Sequence, residues 1–195
     1  MRPLVRPAAL ALLALASTAC ADLTTAPAAA IPARPSLEVV RPQVRAAGLT
    51  RDTPLAADVA LSVEVRTGGG SFQLPGTGLK VDVPAGALPK GARSLTITVT
   101  ARAGDMVAYE FQPHGTVFAK PIQLTQDLKG TSFWKLENHG TVEAAYFAHA
   151  SQLDESTNSA LVDEFLPVAA NLSNAKLKFD VSHFSGYMLS SGRNK

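Results

Sequence analysis

From about Val59 onward, apolar and polar residues alternate along the chain. Leu61-Ser62-Val63-Glu64-Val65-Arg66 alternates, as do Leu79-Lys80-Val81-Asp82-Val83, Leu95-Thr96-Ile97-Thr98-Val99-Thr100 and Leu177-Lys178-Phe179-Asp180-Val181. Period two puts one face of each stretch on a core and the other in water, which predicts half-buried strands. Turn-forming clusters separate them: Gly68-Gly69-Gly70, Pro75-Gly76, Pro84-Ala85-Gly86, Pro89-Lys90-Gly91 and Pro113-His114-Gly115. Many short strands with no long helical period predict an all-β, antiparallel β-sandwich over residues 58–192. Its expected inner faces hold Val63, Leu79, Val81, Ile97, Val99, Phe111, Phe118, Leu124, Phe179 and Val181. The segment Ser159 to Ala170 fits a short helix or an irregular strand equally well, and Pro167 ends either. The last strand keeps its phase from Leu177 through Val181, His183, Ser185 and Tyr187 to Leu189. This predicts His183 and Ser185 on the core-facing side, about 7 Å apart along one strand, with the Phe184 carbonyl between them.

Before residue 58 the alternation is absent. Arg2 and Arg6 precede an apolar run from Ala8 to Ala16, and the small residues Ser17, Thr18 and Ala19 lead to Cys20. This is the order of an export signal, here residues 1–19. The run is well short of the ~20 residues a spanning helix needs. Residues 20–57 are rich in Ala and Pro (Pro27, Pro32, Pro35, Pro42, Pro54). Such a stretch buries too little apolar surface to offset its ordering entropy, which predicts a disordered tether. As a flexible coil it would reach on the order of 30 Å. The one regular element expected there is a short helical piece around Leu55 to Val63.

Composition narrows the function classes. Cys20 is the sole cysteine, so the domain cannot form an internal disulfide and must rely on apolar packing. Of eighteen basic residues, Arg2 and Arg6 fall in the signal, leaving sixteen against sixteen acidic residues. A near-neutral chain carries neither a nucleic-acid footprint nor a basic membrane patch.

Candidate chemistry is sparse. His114, His139, His149 and His183 share no metal-ligand spacing, so no metal or cofactor is expected. In Asp154-Glu155 and Asp163-Glu164 the neighbours point apart in any regular element, which suits solvated loop charge. Asn171-Leu172-Ser173 fits a glycosylation pattern of the kind that occurs by chance. The triple glycine 68–70 leads into no helix and so is not a phosphate loop. Trp134 is the only tryptophan, which gives little support to a sugar-binding platform of grouped aromatics.

Two resemblances extend this picture. Leu15-Ala16-Ser17-Thr18-Ala19-Cys20 resembles the lipobox of bacterial lipoproteins, with Ser17 where that family prefers Leu. The resemblance implies cleavage before Cys20, acylation of Cys20 and a lipid anchor in the cell envelope. Ala21 next to it implies sorting to the outer membrane. A plain secretory signal with an incidental cysteine is the alternative.

Three further blocks together resemble the ZU-5 domain, a β-sandwich module of ankyrins, netrin receptors, a tight-junction scaffold, a death-domain adaptor and bacterial relatives. They are Gly70-Ser71-Phe72-Gln73-Leu74 with Leu79 to Leu88, Tyr109 to Leu124 around Pro113-His114-Gly115, and Ser182-His183-Phe184-Ser185-Gly186-Tyr187. The resemblance implies a structural or protein-interaction module with an unidentified protein partner and no small-molecule substrate. It also implies an alternative. In the death-domain adaptor the His-Phe-Ser sequence cuts itself, which would make Ser185 the nucleophile, His183 the base and Phe184-Ser185 the scissile bond.

Overall fold

A computed structural model describes residues 43–135 and 142–193. The export signal, Cys20 and the tether up to residue 42 lie outside the described residues, as does His139. The strands are, in chain order, β1 (Val44–Gly48), β2 (Thr50–Leu55), β3 (Val59–Arg66), β4 (Gly70–Leu74), β5 (Leu79–Val83), β6 (Ser94–Ala101), β7 (Gly104–Met106) and β8 (Ala108–Gln112). They continue with β9 (Val117–Asp127), β10 (Glu143–Phe147), β11 (Leu153–Asp154), β12 (Ser159–Val162), β13 (Glu164–Leu166), β14 (Val168–Asn171), β15 (Lys176–His183) and β16 (Gly186–Arg193). The described pairings are antiparallel.

A nine-stranded sheet runs β11-β12-β1-β16-β8-β6-β3, with β10 joining β16 to β13. A five-stranded sheet runs β14-β15-β9-β5-β4, and β2 and β7 form a separate ribbon. The inner faces of the two sheets share one core. Ile97, Val99, Phe111, Tyr187 and Leu189 from the larger sheet meet Leu79, Val81, Ile122, Leu124, Leu177, Phe179 and Val181 from the smaller. This is the sandwich the period-two pattern predicts. Of the ten expected inner-face residues, nine are buried and Val63, near the sheet edge, is half-buried.

A second, smaller core covers the opposite face of the larger sheet. Ala46, Met106, Ala108, Ala145, Phe147, Ala160, Val162 and Met188 pack there. Strand β16 is therefore enclosed on both faces, and Tyr187, Met188, Leu189 and Ser190 are all buried. Alternation is lost wherever a sheet is covered on both sides.

Three expectations need correction. Residues 44–55 are not tether: β1 pairs with β12 along one edge and β16 along the other. Ala46 and Leu49 are fully buried. The signal was weak because the buried positions of β1 are alanine and glycine, which carry little hydrophobic contrast. Pro54 is tolerated because the β2–β7 pairing is irregular between Thr50 and Leu55. Next, the Leu55–Val63 region is not helical: Leu55 ends β2 and Val59 begins β3. Last, the chain from Leu177 to Leu189 is two strands in different sheets, with Phe184 and Ser185 crossing between them. The ambiguous Ser159–Ala170 segment resolves as β12, β13 and β14, with Pro167 between the last two.

Candidate functional site

The three motif blocks converge on the crossover between β15 and β16. The register of β15 on β9 shifts between Val181 and His183, and His183 pairs with Val117. Past that shift the Phe184 N–H donates to Thr116 O at 2.8 Å, and the Gly115 N–H donates to Phe184 O at 2.9 Å. The Phe111 N–H donates to Ser185 O at 2.9 Å, attaching the next residue to the larger sheet. The fully buried Phe184 ring lies 5.2 Å from Phe111 and 4.6 Å from Phe118, centroid to centroid. These separations give the tilted and edge-on contacts that aromatic pairs favour. The Pro84–Ala87 turn joins the same region: Ala119 N–H donates to Ala87 O at 2.9 Å, and Lys120 Nζ to Ala85 O at 2.7 Å. Gly86 and Gly115 hold φ of +73° and +75°, a region open to glycine at little cost.

The crossover separates the two residues that a self-cleaving reaction would need together. Ser185 is buried, and its hydroxyl donates to Phe147 O at 3.2 Å. His183 is half-buried, and its Nδ1 lies 3.1 Å from the Tyr187 hydroxyl. That hydroxyl also donates to the His183 carbonyl. Burial pushes the Tyr187 phenol well above its ordinary range, helped by the neighbouring Tyr146 and Glu164. Tyr187 thus stays protonated, and its hydroxyl sits between the carbonyl and the Nδ1 of His183. The Tyr146 ring packs edge-on against His183 at 5.0 Å.

No hydrogen bond joins His183 to Ser185 among the described residues. A serine needs a base in hydrogen-bond reach to become a nucleophile, and the Phe147 carbonyl is not a base. The Phe184 carbonyl meets one backbone donor, from Gly115. Among the described residues, the non-glycine positions with positive φ are Asn158 and Ala175, so the backbone at His183-Phe184-Ser185 does not adopt the strained left-handed conformation.

The remaining polar candidates have local roles. His114 and His149, far apart in sequence, are exposed and stack with centroids 6.2 Å apart. No group of three or more His, Cys, Asp or Glu side chains suited to a metal occurs among the described residues. Asp163 accepts from Gln43, from Gln152 and from the Ala148 N–H. Partial burial pushes its carboxyl up, but these hydrogen bonds and the nearby His149 outweigh burial and hold it below the ordinary carboxylate range. Asp154 bonds to Ser156 and Thr157 within its own turn. Trp134 is the only exposed aromatic among the described residues, with its ring edge-on to Phe133.

One buried charge escaped the sequence reading because its segment was assigned to the tether. Arg51 in β2 is 9% exposed, donates from Nη1 to Met106 O, and lies 5.8 Å over the Tyr109 ring. By geometry its Nε and Nη2 meet no hydrogen-bond partner among the described residues, though its charge sits beside the Tyr109 hydroxyl. The Tyr109 hydroxyl donates to Gln126 at 2.7 Å, and Gln126 Nε2 donates to Thr77 O at 2.9 Å. A small polar network thus lies beneath β2, and a lone basic residue amid Thr and Asp carried no periodic signal for it. No protein-family model matches the chain, and no curated protein matches it.

Proposed function

We propose that this chain is an exported lipoprotein, anchored through acylated Cys20 to the cell envelope, with the outer membrane as its destination. Its ZU-5-like β-sandwich acts as a non-catalytic structural and protein-interaction module. The observation that carries the non-catalytic part is the separate pairing of the two motif side chains: Ser185 with the Phe147 carbonyl, His183 with Tyr187. The most distinctive residues of the chain are used in turns, in a sheet crossover and in aromatic packing. The lipid anchor and the envelope location rest on the Arg2-to-Cys20 sequence, and the ZU-5 likeness on the three blocks.

Intact-mass measurement on the membrane fraction tests the anchor and the non-catalytic reading together. The expected result is one chain beginning at Cys20, carrying acyl mass, with Cys20→Ala protein moving to soluble fractions. Wild type without acyl mass and Cys20→Ala protein that stays on the membrane would overturn the anchor. Denatured wild type running as two pieces split between Phe184 and Ser185, with Ser185→Ala intact, would replace the non-catalytic reading by self-cleavage.

A further inference from the structure

The five outer edges of the two sheets are unequal. Four are short: β11 with two residues, β13 with three, β14 with four and β4 with five. The fifth, β3, runs eight residues from Val59 to Arg66 and pairs with β6 in unbroken register. Its second edge pairs with no strand among the described residues. Proteins blunt exposed edges by shortening, by proline, by bulges or by inward charges. Strand β3 has none of these; its charges, Glu64 and Arg66, lie on the exposed row, and at its far end the Gly69 N–H donates to Arg66 O at 2.8 Å. Its odd-numbered residues Val59, Leu61, Val63 and Val65 turn inward, half-buried or buried, and its even-numbered residues are exposed.

We propose that β3 is a self-association edge, which pairs antiparallel with β3 of a second copy about a two-fold axis through Ser62. The inference stands on the fold alone and is independent of the anchor and of the envelope location. The charges of the exposed row select the register. With the axis at Leu61, Asp58 would face Glu64 of the second copy. With the axis at Glu64, two glutamates would face each other. Like charges directly opposite destabilise a ladder. The Val63 axis opposes no charges at all. With the axis at Ser62, Ala60 faces Glu64, and Asp58, just before the strand and held in its own chain by Arg102 at 2.6 Å and the Ala103 N–H at 2.7 Å, comes opposite Arg66 twice by symmetry. The inward row then sets Val59 against Val65 and Leu61 against Val63, continuing the apolar face of the larger sheet across the junction. Such a C2 contact is self-complementary and closes on itself, so it yields a dimer rather than a fibre.

The position of Ser62 on the axis gives a test specific to this register. Ser62 is exposed, and its hydroxyl contacts only Thr98 at 2.7 Å, so a charged residue there disturbs no core. Sedimentation equilibrium on the chain from Ala21 onward, from micromolar to millimolar concentration, should show a monomer–dimer equilibrium. Ser62→Lys and Ser62→Glu should each weaken it by at least about tenfold through like charges at the axis. An equimolar mixture of the two variants should restore dimer, and at concentrations where all are monomeric each should unfold at the wild-type temperature. A chain that stays monomeric at every concentration would overturn the proposal. So would a dimer that neither variant weakens, or a dimer seen only after residues 21–42 are removed, which would place the chain's own N-terminal segment on this edge.

Discussion

The Phe147 ring occupies the space that a side chain on Gly186 would need: a Cβ built there would fall 2.0 Å from Phe147 Cε2. Gly186 has no positive φ, so its role is close approach rather than backbone freedom. It lets β16 lie flat against β10 directly after the crossover, where Gly186 pairs with Phe147. Gly186→Ala should therefore destabilise the fold by about 1–3 kcal/mol through overpacking. Chemical denaturation measures this, and Phe147→Leu in the same chain should recover part of the loss. A fully tolerated Gly186→Ala would show that the ring can move aside.

The N-terminal strands make a prediction opposite to that of the period-two pattern. A chain starting at residue 57 lacks β1 and β2, removing fully buried Ala46 and Leu49 and uncovering the edges of β12 and β16. It should lose cooperative unfolding, whereas a chain starting at residue 43 should keep it. Denaturant titration of the two truncated chains decides the matter. Equal cooperativity in both would return residues 44–55 to the tether.

Core substitutions probe the junction of the two sheets. Ile97 is fully buried on the larger sheet, and Phe179 is 4% exposed on the smaller. Replacing either by Ala should cost roughly 2–5 kcal/mol, from lost transfer energy and the cavity left behind. A loss below about 1 kcal/mol at both sites would mean that the sheets do not pack on each other as described.

Asp163 sets the direction of one pH effect. Its folded carboxyl lies below the ordinary range, so it contributes stability above its unfolded pKa of about 4 and loses it as pH falls through the lower folded value. Wild type should thus lose stability below about pH 4, and Asp163→Asn should lose less over the same interval, although it is the less stable of the two at neutral pH. Unfolding curves from pH 7 to pH 2.5 provide the check. Parallel acid profiles for the two proteins would remove Asp163 from the account.

The sequence by itself determined the fold class, the positions of β5, β6 and β15, the Leu61–Arg66 part of β3, and the turns at Pro84-Ala85-Gly86 and Pro113-His114-Gly115. These are short-range properties: side-chain period, proline placement and the conformational freedom of glycine act within a few residues. It also marked the residues that meet at the crossover, Phe111, Phe118 and Phe184, without showing that they meet. Only the tertiary structure decided the fate of Val44 to Gly48, because alanine and glycine become core by being paired on both edges, not by being strongly apolar. It alone decided that Leu177 to Leu189 breaks between sheets, since unbroken alternation cannot reveal a change of partner. That break separates His183 from Ser185 and gives each a different hydrogen-bond partner, because a one-residue change of path redirects every side chain that follows it.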